Sequence, residues 1–262
     1  MEMYSENDIR KLLEICSIDK DIIINSSFDS IMSKIKKEKI EKVFVIDDFS
    51  NFTIKHEMFE IFYTKGIIEN LFDGIYTLQQ LTEKIISTAN NNWKIILEAI
   101  DDEYTYEKML GDLFEIFAEL FFKTTQSDNR IGISNYEPVH SSEDFGVDGV
   151  GIGFNGKPCT IQVKFRTNPM EELTIKDLKN FQGISYRKYS VDVDDDNNLI
   201  IFTNCQGLHW NTESNVLLNS TLTFGNFGDN NDRSLKALLD NNIPFWNNIK
   251  SLIKYVIVNN KY

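Results

Sequence analysis

The stretch Phe145-Gly-Val-Asp-Gly-Val-Gly-Ile-Gly-Phe-Asn-Gly-Lys-Pro-Cys-Thr-Ile-Gln-Val-Lys-Phe-Arg166 decides the fold of this 262-residue chain. Two runs typical of β-strands meet at Asn155-Gly156, a dipeptide that favours tight hairpin turns. From Gln162 the second run alternates polar and apolar residues up to Arg166, which is the period of a strand with two different faces. The sequence therefore predicts an antiparallel hairpin with polar side chains along one face.

Three polar residues of this hairpin have a chemical interpretation. Asp148 offers a carboxylate, Gln162 an amide oxygen, and Lys164 an ammonium group two residues further on. Hard cations such as Mg²⁺ take oxygen ligands, and a nearby ammonium can orient a water molecule and stabilise developing negative charge. The pattern predicts a site for a divalent cation beside an activated water, which is what phosphodiester hydrolysis requires.

The register of the hairpin decides whether these side chains meet. A two-residue turn at Asn155-Gly156 would place Asp148 opposite Val163, with Gln162 and Lys164 on the other face of the sheet. We therefore expect the pairing to shift by one position, through a three-residue loop that places Asp148 opposite Lys164 or through a bulge. The glycines of the first strand give it the freedom to do so.

The same glycines also match two nucleotide-binding patterns. Residues 151–156 fit G-x-G-x-x-G, and residues 151–157 fit G-x-x-x-x-G-K. Phosphate binding by either pattern needs a loop that opens a helix. Here Pro158 stands in the place of the Ser or Thr, and a β-rich run follows it. We therefore expect a hairpin and no nucleotide cofactor.

The order of elements becomes regular after residue 105. We expect a helix with a wide apolar arc, a weak strand, the two hairpin strands, a second helix and a last apolar strand, at residues 106–123, 130–134, around 155–156, 173–189 and 198–203. The predicted order is therefore α-β-β-β-α-β.

These motifs resemble the PD-(D/E)XK nuclease superfamily, and in particular its Mrr-like restriction endonuclease branch. The residues that carry the resemblance are Phe145-Gly-Val-Asp148, Gln162-Val163-Lys164 and Gly111-Asp-Leu-Phe-Glu115, within roughly residues 106–204. The order α-β-β-β-α-β is also the core order of that superfamily. The resemblance implies an α/β (α+β) fold with a restriction-endonuclease-like core, in which helices flank a central mixed sheet.

The resemblance also implies a Mg²⁺- or Mn²⁺-dependent endodeoxyribonuclease in which metal-activated water hydrolyses a phosphodiester bond of DNA. Asp148 would be the central metal ligand, joined by the Gln162 side chain, the Val163 backbone carbonyl and Glu115 of the first helix. Lys164 would position the water and stabilise the charged phosphate. Since such enzymes often dimerise to cut both strands, a homodimer is the implied assembly.

Plainer alternatives exist for the acidic residues. Asp112, Glu115 and Glu119 fall on one side of the first helix, opposite its aromatic arc, so a solvated face explains them nearly as well. The position after Phe114 favours Glu115 as the ligand. For Asp148 the alternative is a strand-edge aspartate that binds nothing.

Charge narrows the class of protein. A net charge of −13 argues against a protein that coats DNA through clustered basic residues. Residues 111–190 hold 11 acidic and 9 basic side chains, a balance of −2 (9 − 11), so most of the excess acidity lies elsewhere. A local basic groove for DNA can still form, and its candidates are Arg166, Lys176, Lys179, Arg187 and Lys188.

The rest of the chain carries no motif with chemical content. We expect residues 1–105 to form a mostly helical N-terminal region, and residues 106–262 to form the nuclease-like domain with its core at 106–204 and an extension at 205–262. Within the N-terminal region the predicted helices lie near residues 7–16, 27–39 and 76–100, with a strand at 42–47. In the extension we expect a helix from about Ser234 that Pro244 breaks. His140 and His209 are too isolated to act as a ligand pair, and the three cysteines indicate packed thiols.

No apolar run approaches the roughly 20 residues that span a bilayer, and the first residues lack the features of a signal peptide. We therefore expect a soluble, intracellular protein with no membrane partner. The leading hypothesis is the metal-dependent DNA endonuclease. The alternative is a non-cleaving nucleic-acid-binding or protein-interaction module that retains the nuclease fold, which the acidity and the uncharged Gln162 both favour.

Overall fold

The computed structural model describes residues 49–100, 103–128, 130–140, 146–153, 155–178, 180–192, 198–209, 221–227 and 233–262. The helices predicted near residues 7–16 and 27–39 and the strand predicted at 42–47 lie outside these residues, as does Lys179. None of the helices in the described ranges is both long enough and apolar enough to cross a membrane.

The described chain contains helices and a single sheet. The helices are α1 (Phe59–Thr64), α2 (Ile68–Leu71), α3 (Leu78–Ile100), α4 (Tyr106–Thr125), α5 (Phe181–Tyr189), α6 (Leu235–Leu239) and α7 (Ile243–Val258). The strands are β1 (Ser134–Pro138), β2 (Gly149–Ile152), β3 (Pro158–Lys164), β4 (Leu199–Thr203) and β5 (Thr221–Phe224). From α4 to β4 the order is α-β-β-β-α-β, as predicted.

Individual elements differ from the prediction at two places. The helix predicted at 106–123 and the strand predicted at 198–203 are confirmed by α4 and β4, whereas β1 begins at Ser134, four residues after the predicted start of that strand. The helix predicted at 173–189 is also wrong in its first half. Asp177 accepts hydrogen bonds from the backbone N–H and the hydroxyl of Thr174, at 2.7 Å and 2.9 Å, and this capping closes a short 3₁₀ turn. The α-helix begins only at Phe181.

The C-terminal helices follow the predicted break. Ser234 caps α6 by accepting from the Ala237 N–H, and α7 begins after Asn242 with Pro244 in its first turn. Proline is tolerated there because the first N–H groups of a helix have no partner inside the helix. The proline therefore separates two helices rather than bending one.

The sheet has the strand order β1-β2-β3-β4-β5. β1, β2 and β3 pair antiparallel, while β3, β4 and β5 pair parallel, so the sheet is mixed. Helices cover both faces: on one side Phe114 of α4 lies 5.4 Å from Phe202 between ring centroids, and on the other the Ser185 hydroxyl of α5 lies 2.7 Å from that of Thr160. The predicted α/β architecture with helices flanking a mixed sheet is confirmed.

Helix α4 forms because its sequence suits a buried helix. Thr105 accepts a hydrogen bond from the Lys108 N–H at 3.1 Å and caps its first turn. Its four phenylalanine side chains are fully buried, and Phe117 stacks on Trp246 of α7 at 6.0 Å. This burial on several sides supplies most of the stabilisation of the helix and fixes its position against the sheet.

All described residues belong to one compact unit. The segment before α4 packs directly on the core, because Lys123 donates to the Thr53 carbonyl at 3.0 Å and Asn204 donates to the Thr82 hydroxyl at 3.2 Å. Residues 49–100 therefore share a core with α4 and the sheet. The predicted boundary after residue 105 falls inside this unit.

Gly149 of β2 is required by the close approach of a tyrosine. A Cβ atom built on Gly149 would lie 2.5 Å from Cε2 of Tyr136, and the ring of Tyr136 is itself stacked on Phe122 at 5.2 Å. Because the tyrosine is buried, it has little room to move away.

We expect Gly149→Ala to lower the free energy of unfolding by about 1–3 kcal/mol, the usual effect of overpacking a core, as measured by urea denaturation. The control is Gly111→Ala in the interior of α4, whose Cβ would meet only Oε1 of Glu115 at 3.8 Å. That substitution should raise the free energy of unfolding by up to about 1 kcal/mol. A Gly149→Ala variant as stable as the wild type would contradict this packing.

Candidate active site

The hairpin has the shifted register that its chemistry requires. β2 and β3 pair Gly149 with Ile161 and Ile152 with Pro158, which leaves a three-residue loop closed by a hydrogen bond from Gly153 N–H to the Lys157 carbonyl at 2.9 Å. The expected shift of one position is confirmed.

The partner of Asp148 differs from the expectation. The ladder ends with Gly149 opposite Ile161, and the Asp148 N–H donates to the Ile161 carbonyl, so Asp148 is not opposite Lys164. Gln162 and Lys164 are one strand period apart and lie on one face of β3. The Asp148 carboxylate accepts the N–H of Val163, which stands between these two residues, so Asp148 lies beside the strand that carries them.

Three hydrogen bonds hold Asp148 at the start of β2. Its carboxylate Oδ2 accepts the Val163 N–H at 2.5 Å, its own N–H donates to the Ile161 carbonyl at 2.9 Å, and its carbonyl accepts from Val139 at 3.0 Å. The N–H and carbonyl of a strand residue point to the same side of the strand, so the Val163 carbonyl faces the side where Asp148 lies. Only 5% of Asp148 is exposed.

The other two residues of the motif have unused polar groups. Gln162 is 3% exposed, and its Oε1 has no hydrogen-bond partner among the described residues. A buried oxygen left without a partner costs about 1–3 kcal/mol, which a bound cation would recover. Lys164 is half-buried, and its ammonium group makes no ion pair or hydrogen bond within the described part of the chain.

A second group of titratable side chains lies on α4 and the segment before α1. His56 Nε2 lies 3.2 Å from Oε2 of Glu115, and the Tyr104 hydroxyl donates to Oδ2 of Asp112 at 2.6 Å. One ligand atom each from His56, Asp112 and Glu115 lie within 4.8 Å of one another. The described residues thus bring a histidine from outside the resembling region to the predicted ligand Glu115.

The electrostatics of this group follow from burial and mutual charge. Burial raises the pKa of Asp112 to about 6, with a further rise from the charge of Glu115. Burial lowers the pKa of His56, but the hydrogen bond to Glu115 and the charges of Glu115, Asp112 and Glu119 outweigh it, so the pKa lies above its ordinary value. Burial, then the charge of Asp112, raises the pKa of Tyr104, so Tyr104 remains a hydrogen-bond donor.

Glu119 fixes the backbone that carries His56. It is fully buried, and its carboxylate accepts the Lys55 N–H at 2.8 Å, the His56 N–H at 3.0 Å and the Lys123 ammonium at 2.6 Å. Because all three donors are satisfied by one side chain, Glu119 is a structural anchor. The solvated face proposed for the acids of α4 is wrong, since Asp112 and Glu119 are both buried.

A cavity of about 350 Å³ opens in front of this group. Basic Lys55 and Lys108, the acids Asp112 and Glu115, and the chain from Pro138 to His140 at the end of β1 line it. Val139 in this wall donates its N–H to the Asp148 carbonyl, so the Asp148 backbone lies directly behind the cavity wall. The cavity is large enough for part of a charged ligand.

Tyr136 is a buried phenol in the electrostatic field of three carboxylates. Burial raises its pKa well above the ordinary value, and the charges of Glu119, Glu115 and Asp148 raise it further, in that order. Tyr136 therefore stays protonated.

The predicted DNA-contacting residues divide into two kinds. Lys176, Arg187 and Lys188 are exposed. Arg166 instead donates to Asp177, and its N–H donates to Asn204 at 2.7 Å, so this arginine holds the loop after β3 in place. Burial alone would raise the pKa of Asp177, but hydrogen bonds from Thr174 and the charge of Arg166 lower it below the ordinary value. His140 pairs with Glu57 at 2.6 Å and His209 with Glu172 at 3.7 Å.

No sequence motif indicates His56 as a functional residue. It stands alone between Lys55 and Glu57, in a region without periodic signal, and only the fold brings it to Glu115. The spacing of Asp112, Glu115 and Glu119 indicated a shared helix face but gave no sign that this face is covered.

No protein-family model, curated protein or solved structure matches this chain. Its function therefore has to be argued from the chemistry of two adjoining groups. One is the group of Asp148, Gln162 and Lys164 at the start of β2 and the end of β3, and the other is the group of His56 and Glu115 in the cavity.

Removing the Glu119 carboxylate should strongly destabilise the fold. Glu119→Ala leaves two backbone N–H groups without their acceptor and removes the carboxylate that pairs with the largely buried Lys123. We expect a loss of about 3–5 kcal/mol in the free energy of unfolding, measured in urea. Glu137→Ala is the control, because Glu137 pairs with Lys55 at the surface and should change stability by less than about 1 kcal/mol. Equal effects of the two substitutions would contradict the anchoring role.

Proposed function

We propose that this protein is a metal-dependent endonuclease that hydrolyses phosphodiester bonds of DNA. The observation that carries the proposal is the shifted hairpin, in which the Val163 N–H holds Asp148. Val163 stands between Gln162 and Lys164, and neither the Gln162 Oε1 nor the Lys164 ammonium has a partner among the described residues. A strand end without a ligand gives no reason for a buried carboxylate to occur together with a buried amide oxygen and an ammonium group that both lack partners in the described part of the chain.

The available ligand atoms suit a hard cation. Asp148 and Glu115 supply carboxylate oxygens, Gln162 an amide oxygen and Val163 a backbone carbonyl, and no sulfur ligand lies among them. Mg²⁺ and Mn²⁺ prefer such oxygen ligands. When bound, either cation would neutralise charge on the phosphate and favour ionisation of a water molecule.

Lys164 would act on the phosphate and the water directly. Its ammonium group has no partner within the described residues, so it can donate hydrogen bonds to a phosphate oxygen without breaking an existing ion pair. Donors already in position when negative charge develops stabilise the transition state more than the ground state. Asp148 is the less mobile partner, since three backbone hydrogen bonds hold it.

The topology supports assignment to the restriction-endonuclease-like fold. The order α4-β1-β2-β3-α5-β4 places Asp148 directly before β2, Gln162 and Lys164 on β3, and Glu115 on the helix before them. This is the arrangement that the resemblance to the Mrr-like branch of the PD-(D/E)XK superfamily implies. The parallel strands β4 and β5 extend the sheet on the side away from β2.

DNA would approach through local basic groups. Lys55 and Lys108 line the cavity at Glu115, and Lys176, Arg187 and Lys188 are exposed near α5. The net charge of −13 predicts weak non-specific binding to DNA, because such binding depends on clustered Lys and Arg that neutralise phosphates. It also favours the alternative, a nucleic-acid-binding or protein-interaction module with the same fold that does not cleave.

Cleavage assays on paired variants test the proposal. Supercoiled plasmid and linear single-stranded DNA are incubated with the protein in Mg²⁺, in Mn²⁺ and in EDTA. We expect metal-dependent nicking, with Asp148→Asn and Lys164→Met each lowering the rate by at least about 100-fold, the effect of losing a main ligand or a charge-stabilising donor.

Lys254→Met is the matched control, because Lys254 is an exposed lysine of α7. It should cleave at the wild-type rate. Asn keeps an oxygen acceptor for the Val163 N–H, so Asp148→Asn should stay folded, which circular dichroism checks. Equal cleavage by all variants would place the activity elsewhere, and no cleavage by any of them would favour the binding module.

A further inference from the structure

We propose that His56 is a positioning residue for Glu115: its imidazole N–H holds one carboxylate oxygen so that the other stays turned toward the cation. This inference rests on the proposed function, in which Glu115 is a metal ligand. It adds a residue from the segment before α1, outside the region that carries the nuclease motifs.

The backbone of His56 is fixed by α4 itself. Glu119, one turn beyond Glu115 on the same helix, accepts the N–H groups of both Lys55 and His56. The histidine is therefore tied to the helix that carries its partner, and the ring is 6% exposed. A side chain anchored in this way can orient another with little loss of conformational entropy.

The hydrogen bonds define which ring nitrogen carries the proton. The Met58 N–H lies 3.3 Å from Nδ1 of His56 and donates to it, so in the neutral ring Nδ1 is the acceptor and Nε2 carries the hydrogen. That hydrogen faces Oε2 of Glu115 at 3.2 Å. The Nε2–H of His56 thus donates to Glu115. For a metal ion to bind Nε2, this nitrogen would have to lose its hydrogen, and the tautomer would change.

Glu115 is left with one oxygen for another ligand. Oε2 is taken by His56, the one hydrogen-bond partner of this carboxylate within the described residues. Oε1 lies over Gly111, where the missing side chain keeps the cavity open. The neighbouring Asp112 accepts a hydrogen bond from the Tyr104 hydroxyl through its Oδ2.

Ligating carboxylates are commonly oriented by such hydrogen bonds, and losing the partner weakens metal affinity or activity by about 10–100-fold. Removal of the His56 donor should therefore raise the metal concentration that cleavage requires. Once the site is saturated with metal, the rate of cleavage should change much less, because Asp148 and Lys164 are untouched.

The test measures Mn²⁺ binding directly, by electron paramagnetic resonance of the free ion, and the Mn²⁺ concentration that gives half-maximal cleavage of supercoiled plasmid. His56→Phe should weaken Mn²⁺ binding about tenfold or more and raise the half-maximal concentration in parallel. His56→Gln, whose amide can reach the same oxygen, should remain within about threefold of the wild type. His209→Phe is the control, since His209 is half-exposed and pairs with Glu172 instead.

Wild-type Mn²⁺ affinity in His56→Phe would overturn the positioning role, as would equal weakening in the Phe and Gln variants. Should His56→Phe fail to fold, the Gln variant still decides, because loss of its Mn²⁺ affinity while it remains folded would also overturn the role. Failure of the proposed function looks different: the wild type itself would then bind no Mn²⁺ that depends on Asp148, and the role of His56 would fall with it.

Discussion

The hydrogen bond from the Val163 N–H to the Asp148 carboxylate is the interaction on which the rest of the candidate site depends. It joins the two strands of the hairpin where their backbone pairing ends, and it requires the register that the three-residue loop sets. A slip of one position would turn every side chain of β2 to the opposite face. Turn geometry, glycine content and site chemistry therefore constrain one another.

The buried acids of α4 are the second constraint. Asp112, Glu115 and Glu119 lie on the side of α4 that the preceding segment covers, so each carboxylate needs hydrogen-bond donors. Asp112 accepts from Tyr104, and Glu115 pairs with His56. Glu119 accepts from the backbone N–H groups of Lys55 and His56 and from the Lys123 ammonium. Glu115 has its second oxygen, Oε1, over Gly111 in the lining of the cavity. The same helix thus combines an anchor, a satisfied acid and a candidate ligand at successive turns of one face.

The sequence predicted the order of elements and the hairpin because these depend on local signals: apolar periodicity, a proline and the Asn-Gly turn. It could not predict the cover over α4, since the contact of His56 with Glu115 spans 59 positions of the chain and leaves no local pattern. The start of α5 was wrong for a related reason. Thr174 and Asp177 form a capped turn whose composition also suits a helix. Arg166 was named as a DNA contact because it is basic. Its ion pair with Asp177 could not be predicted, since it depends on the folded position of that turn.

The most direct test of the account is the position of a bound cation. Crystals grown without chelator are soaked in MnCl₂, and the anomalous difference density at the manganese edge is measured. The account predicts a peak where β2 begins and β3 ends, with the Asp148 carboxylate, the Val163 carbonyl and the Glu115 carboxylate as ligands. Its central claim would be contradicted by a peak bound only by His56 and Asp112, or by no peak within ligand distance of Asp148.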